Sequence, residues 1–291
     1  MLTIGILQLT QHLDDAVRGF KAGLAQEPVG CDFHYVNADG NEGKLPELAQ
    51  RLASLPVDMI FACSTPAAKA AVNLPGSIPV IYTPVFDPVG SGLAQSLAKP
   101  GGKATGVSGM VDAAQKAAFI YRLLPQANHL GMVYHAKDPN AVLESRLFSD
   151  AIRKRGGCRL TEIPIQQADE LSLLYRFLEK DMDALFLPIG KAVEENFASV
   201  AYYTEAAAIP VIASHGPNVP AGALGGLFAN HYQLGLKCAE KALKISQGVS
   251  AGDIPVDIAT QPEIHLNVAV AAVLGISLPK AMLKQTAEIF E

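Results

Sequence analysis

The sequence predicts an α/β protein made of two doubly wound parallel-sheet lobes of the Rossmann kind. Three observations carry that prediction. Strand-like and helix-like segments alternate almost from end to end, which is how a parallel sheet covered on both faces reads. The alternation completes one unit by about residue 109 and then restarts. The chain, at 291 residues, is longer than one average domain.

The first lobe opens on an apolar strand over residues 2–9. A helix over 14–26 follows, with Ala16, Val17, Phe20 and Leu24 at helical spacing. A strand over 31–37 and a helix over 43–54 come next. A strand over 58–62 ends at Cys63-Ser64-Thr65-Pro66, and an alanine-rich helix over 66–72 begins there. Proline in the first helical turn gives up no needed hydrogen bond, and Ser64 or Thr65 can cap the free amides. A strand over 79–83, a short helix over 88–97 and a strand over 104–108 close the unit.

The second lobe runs through a helix over 112–124, a strand over 129–134 and a helix over 139–154. It continues with a strand over 159–164, a helix over 169–180, a strand over 184–187, a helix over 193–208 and a strand over 210–213. The remainder has extended pieces at 222–229, 254–258 and 263–267, a helix over 233–246 and a helical tail past Leu278. These closing pieces form no βαβ unit of their own, so they are expected to cross back between the lobes as a hinge. The expected division is 1–109 with 229–250 for one lobe, and 110–228 with 251–291 for the other.

Composition narrows the function classes. Half the residues are apolar, and the formal net charge of −5 disfavours a nucleic-acid surface. The basic triplet Arg153-Lys154-Arg155 suits a helix C-terminus. No apolar run reaches membrane-spanning length. Cys31, Cys63, Cys158 and Cys238 are far apart and lack metal-ligand spacing, so they read as small hydrophobes, with one disulfide inside the first lobe as the alternative. No GxGxxG, phosphate loop or GxSxG elbow is present; Pro100-Gly101-Gly102-Lys103 reads as a turn. No catalytic residue and no cofactor are expected.

Ligands of open α/β sheets sit beyond the carboxyl ends of the strands. The polar residues there are the candidate site. In the first lobe they are Gln8, His12, Ser64, Thr65, Pro66, Thr83, Asp87 and Ser108, with Phe86 as an aromatic wall. In the second they are Tyr134, His135, Gly190, Lys191, Ser214 and His215, joined by Asn230 in the crossing segment. Each has an alternative: Ser64, Thr65 and Asp87 as helix caps alone, Phe86 as core, Lys191 as a solvated surface residue. His12, His135 and His215 lack the close spacing of metal ligands, so no metal is expected.

Several segments then point to a family. Ile4-Gly5-Ile6-Leu7-Gln8 opens the chain, Ser64-Thr65-Pro66-Ala67-Ala68 follows the third strand, and Phe86-Asp87-Pro88-Val89-Gly90-Ser91-Gly92-Leu93 follows the fourth. Lys99-Pro100-Gly101-Gly102-Lys103-Ala104-Thr105-Gly106-Val107-Ser108 and Ala272-Val273-Leu274-Gly275-Ile276-Ser277-Leu278-Pro279 complete the set. Together they resemble the substrate-binding proteins of ABC transporters related to tryptophan- and tyrosine-binding components. The resemblance runs nearly end to end.

It implies a type I periplasmic-binding-protein fold, a small molecule held in the cleft between the lobes, and an ABC permease as partner. A monomer is expected. So is a periplasmic or cell-surface location with the leader absent from this chain, or a cytoplasmic one if the chain is native as given.

The sequence also departs from the family's pattern. Ile189-Gly190-Lys191 stands where Thr-Asp-Asn is usual, Ser214-His215 where Ser-Asp is usual, and Asn230 where Asp is frequent. Buried carboxylates that would hold an ammonium are missing at these positions. The expected ligand therefore bears a carboxylate or is rich in acceptors, with little positive charge. An aromatic or other amino acid is the alternative ligand. A ligand-sensing domain and an enzyme acting in the cleft are the alternative functions.

Overall fold

A computed structural model describes all 291 residues. The chain runs through β1 (Leu2–Gln8), α1 (Asp14–Ala25), β2 (Cys31–Asn37), α2 (Leu45–Ala53), β3 (Met59–Cys63), α3 (Thr65–Val72), β4 (Val80–Val85) and β5 (Ala104–Val111). It continues through α4 (Ala113–Leu123), β6 (His129–His135), α5 (Pro139–Arg155), β7 (Arg159–Ile165), β8 (Ala184–Leu187), α6 (Lys191–Glu194), α7 (Phe197–Ala206), β9 (Val211–Ala213) and β10 (Gly225–Ala229). It ends with α8 (His231–Ser246), β11 (Asp257–Ala259), β12 (Pro262–Asn267), α9 (Val268–Val273), α10 (Lys280–Leu283) and β13 (Thr286–Phe290). Two compact units result: Met1–Met110 with Ala229–Gln261, and Val111–Phe228 with Pro262–Glu291.

The first lobe holds a six-stranded sheet in the order β11-β5-β4-β3-β1-β2. β1 pairs in parallel with β2 and β3, and β4 with β3 and β5. Strand periodicity sorts its side chains onto two cores. Ile60 and Ala62 join Leu7, Leu52 and Tyr82 on one face. Phe61 and Cys63 join Ile4, Ile6, Phe20 and Leu234 on the other, where Phe20 and Phe61 stack at 4.0 Å. Filling both faces is what makes β3 a continuous apolar run rather than an alternating one.

The second lobe holds a seven-stranded sheet in the order β13-β12-β10-β9-β8-β6-β7. The pairs β6–β7, β6–β8, β8–β9, β9–β10 and β12–β13 are parallel. Val133, Leu185 and Leu187 pack with Phe197 and Val200 on one side. Phe186 stacks on Phe148 of α5 at 4.0 Å. The buried stripe of α5, Ala141, Glu144, Ser145, Phe148, Ser149 and Ile152, thus carries a carboxylate into that packed layer.

The structure corrects several expected elements. Residues 88–97 form turns, not a helix. Asp87 Oδ1 accepts the Gly90 amide at 2.8 Å, and a side chain at position 90 would meet Asp87 Oδ2 at 2.1 Å. The Asp-Pro-Val-Gly segment is therefore a turn closed by a side chain. The expected helix over 169–180 is a 3-10 segment, Ala168–Arg176. The helix over 193–208 is split into α6 and α7 at residues 195–196. The tail past Leu278 is one helical turn and then β13, which pairs with β12 and ends the chain as an edge strand.

The lobe boundary also differs. Residues 251–261 stay with the first lobe, because β11 extends its sheet next to β5. Thr105 Oγ1 donates to the Ile254 carbonyl at 2.7 Å, and Lys241 Nζ lies 2.8 Å from Asp257. All four cysteines are free thiols. Cys63 and Cys238 lie in one core, where burial pushes both thiols up.

Candidate functional site

Each sheet has a point where the chain reverses its direction of strand addition, and ligands of open α/β sheets gather there. In the first lobe the order β2-β1-β3 puts it at the ends of β1 and β3. In the second, β7-β6-β8 puts it at the ends of β6 and β8. The two edges are built differently.

At the first, Ser64 leaves β3 with φ 109° and ψ 161°, a conformation that costs a residue with a β-carbon about 1–3 kcal/mol. Three hydrogen bonds hold it there. Its amide donates to the Thr83 carbonyl (3.3 Å), its hydroxyl accepts the Ala67 amide (3.2 Å) and its carbonyl accepts the Ala68 amide (2.9 Å). Pro66 has no N–H. Left over at the start of α3 are the amide and hydroxyl of the half-buried Thr65, together with the hydroxyl proton of Ser64, whose oxygen only accepts. Donors at the positive end of a helix suit an anion such as a carboxylate.

Several other first-lobe candidates hydrogen-bond within the scaffold. Gln8 is fully buried; its Nε2 donates to the Thr10 carbonyl (2.7 Å) and Asp14 (2.8 Å), and its Oε1 accepts from the Tyr35 hydroxyl (2.7 Å). Burial and the neighbouring Asp14 push the Tyr35 hydroxyl up, which keeps it a donor. Thr83 is fully buried and gives its hydroxyl to the Val107 carbonyl at 3.0 Å. Ser108 donates to the Phe86 carbonyl (2.9 Å) and accepts the Met110 amide (3.1 Å), closing the loop after β4. Asp87 closes its own turn, as above. Gln8, Thr83 and Ser108 thus bond to the protein's own groups, while Asp87 closes its turn with one carboxylate oxygen and keeps the other. Phe86 and Pro66 are half-buried, and His12 is exposed in a 3-10 turn.

At the second edge, Asp138 caps α5 through Oδ1, which accepts the Asn140 (2.9 Å) and Ala141 (3.3 Å) amides. Its Oδ2 is left open. Gly190 lies against it: a side chain at 190 would stand 3.5 Å from that oxygen and 3.1 Å from Ala141 Cβ. Glu194 reaches back one turn to accept the Gly190 amide at 2.7 Å, and its other oxygen lies 3.6 Å from His215 Nδ1.

Beneath them a buried ion pair joins Lys116 of α4 to Glu144 of α5, with side chains 6% and 3% exposed. Glu144 also accepts from the Ser214 hydroxyl (2.8 Å) and the Ile189 amide (2.6 Å), and Lys116 Nζ lies 2.9 Å from Ser214 Oγ. The ends of β8 and β9 are thereby tied to the helices below.

The remaining candidates are Lys191, Tyr134 and His135 of the second lobe and Asn230. Lys191 projects into solvent, loosely paired with Glu195 at 3.7 Å. Tyr134 is half-buried with its hydroxyl 3.4 Å from Glu162; burial and that carboxylate push its pKa up. His135 Nε2 lies 3.0 Å from the Gln166 carbonyl. Asn230, which belongs to the first lobe, caps α8 by accepting the Gln233 amide at 2.8 Å. The metal-ligating side chains that do come together are His129, Glu179 and Asp181, at the opposite end of the second sheet. The Arg159 guanidinium stands among them, 2.8 Å from both His129 Nδ1 and Asp181 and 3.2 Å from Glu179.

Asp138, Glu194, Lys116 and Glu144 were not among the residues chosen from the sequence. Asp138 precedes Pro139, a readable cap signal. Lys116 and Glu144 fall in phase with apolar stripes, Lys116 with Ile120 and Glu144 with Phe148. A charge in phase with a core stripe is the signal that could have found them. The absence of carboxylates inferred from positions 189–191 and 215 does not hold for this edge, because Asp138 and Glu194 arrive from neighbouring turns.

Comparison with known proteins adds a lineage to this geometry. The family described as ABC transporter substrate binding protein matches residues 3–290. A tyrosine-binding protein of Clostridioides difficile (strain R20291) is 32% identical over 272 residues, covering 91% of this chain and 78% of that protein. A ligand-free, open substrate-binding protein with adhesive properties from Clostridium difficile superposes with a TM-score of 0.86 at 30% identity, over 100% of this chain and 99% of that one. An ABC domain from Streptococcus pneumonia in complex with L-Trp gives 0.78 at 25% identity, over 99% of both chains.

Proposed function

The chain belongs to the ABC transporter substrate-binding proteins, with their type I periplasmic-binding-protein fold, and from that premise we propose that it captures a free aromatic α-amino acid for import. The observation that carries this reading is the pair of donors left over at Thr65, placed at the N-terminus of α3 and at the carboxyl edge of the first sheet. They suit the ligand's carboxylate. The open oxygen of Asp138 and the carboxylate of Glu194 suit its ammonium. Phe86 and Tyr134, both half-buried at strand ends, suit an aromatic side chain.

The names of the relatives support the same class: one is called tyrosine-binding, another is bound to L-Trp. The expectation of a ligand with little positive charge gives way, since its premise was an edge without carboxylates. Binding without turnover, delivery to an ABC permease and work outside the cytoplasm complete the proposal. No helix is long and apolar enough to cross a membrane.

The test is a thermal-shift screen of the twenty amino acids together with matching organic acids and sugars. Ligand at a hundred times its Kd stabilises by about 2.7 kcal/mol, a readable rise in Tm. Tyrosine, tryptophan or phenylalanine is expected to give the largest rise. A screen in which organic acids or sugars raise Tm and no amino acid does contradicts the proposal.

A further inference from the structure

The buried pair beneath the second edge does more than join two helices. Lys116 Nζ has only protons to give, and the Glu144 carboxylate has only lone pairs to offer. Ser214 Oγ lies within hydrogen-bond distance of both, 2.9 Å from the ammonium and 2.8 Å from Glu144 Oε1. The one hydroxyl proton of Ser214 must therefore go to Glu144, and one lone pair must accept from Lys116. What remains on the oxygen of this half-buried residue is a second lone pair and no proton.

We propose that the Lys116–Glu144 pair fixes the polarity of the Ser214 hydroxyl, so that Ser214 meets the ligand as an acceptor and selects a head group that donates, such as an ammonium. The inference rests on the amino-acid reading above and assigns part of its specificity. Lys116 and Glu144 are positioning residues acting through Ser214. They work on a group at the end of β9, while the Ile189 amide, also held by Glu144, fixes the end of β8 alongside. An isolated serine hydroxyl rotates and serves donor or acceptor alike; one trapped between an ammonium and a carboxylate does not.

The experiment is calorimetric titration with L-tyrosine and with its deaminated analogue, 3-(4-hydroxyphenyl)propionate, and the quantity read is the ratio of the two affinities. Wild type is expected to favour the amino acid. Ser214→Ala removes the acceptor and is expected to lower the ratio about tenfold, the weight of one hydrogen bond to a charged group. Ser214→Thr keeps the hydroxyl and is expected to keep the ratio. Lys116→Met/Glu144→Met frees the hydroxyl to donate and is expected to lower the ratio by relieving the analogue as well as weakening the amino acid. A purely structural role would weaken both ligands in step and leave the ratio unchanged. An unchanged ratio in Ser214→Ala overturns the inference while leaving the amino-acid reading intact. Wild-type protein that binds the amino acid and its deaminated analogue equally, or that binds none of tyrosine, tryptophan and phenylalanine, overturns that reading and the inference with it. Should the double variant not fold, the Ser214 pair of variants decides alone.

Discussion

The two lobes repeat one architecture and solve the same local problem by opposite means. The first shapes its edge with the backbone: a strained serine, a helix start, and a hydroxyl and amide left unspent at Thr65. The second shapes its edge with side chains sent up from below, where Lys116 and Glu144 hold Ser214 and the Ile189 amide in place. A backbone cradle is neutral and short-range, suited to a carboxylate. A charged scaffold is costly to bury and tolerates no loss of one partner. Similar folds thus give edges with different vulnerabilities.

The largest effect is expected where that contrast is sharpest. Glu144→Ala leaves the Lys116 ammonium buried and unpaired and should destabilise by about 3–5 kcal/mol. Replacing both members with methionine should cost far less, since the desolvation of both charges is relieved together. Thermal melting of the two variants checks this; equal losses would show that the pair is not a unit.

Next comes Ser64. Ser64→Ala loses the cap and keeps the strained φ, so a loss of about 1–2 kcal/mol is expected. Ser64→Gly loses the same cap and sheds the strain, and should be at least about 1 kcal/mol more stable than the alanine variant. Alanine matching glycine in denaturant melts would mean that the backbone at 64 is not under strain.

Thr65→Val should leave stability within about 0.5 kcal/mol and weaken L-tyrosine binding about tenfold. A valine variant that binds like wild type would remove the hydroxyl from the cradle.

The smallest effect concerns pH. Burial, opposed by Asp15, lowers the pKa of His231 at the start of α8, where the helix dipole also disfavours a cation. The native state therefore prefers the neutral ring. The unfolded chain takes up a proton near pH 6.5 first, so this contribution is full above that value and is lost as the pH falls below it. The Tm of His231→Gln should fall less than that of wild type between pH 7 and pH 5. Parallel curves would contradict the assignment.

The contrast between the lobes also explains what the sequence disclosed. The strands were legible because burial on both faces leaves unbroken apolar runs, as in Met59–Cys63. The corner at Ser64-Thr65-Pro66 was legible because capping is a local code. The turns over residues 88–97 were misread as a helix because the closing contact is Asp87 to Gly90, a turn whose first residues resemble a helix start. Gln8, Thr83 and Ser108 stood at strand ends, yet their partners are Asp14, Tyr35, Val107 and Phe86, which only the folded chain brings near. The second edge was the least legible, because Glu144 lies 45 residues from Ile189 and 70 from Ser214 along the chain.

The central claim is that one edge is made for a carboxylate and the other for an ammonium. Calorimetric titration with L-tyrosine, with tyramine, which lacks the carboxylate, and with 3-(4-hydroxyphenyl)propionate, which lacks the ammonium, tests it most directly. The account predicts that L-tyrosine binds and that each truncated compound binds at least about tenfold more weakly. A truncated compound that binds as tightly as the amino acid would contradict it.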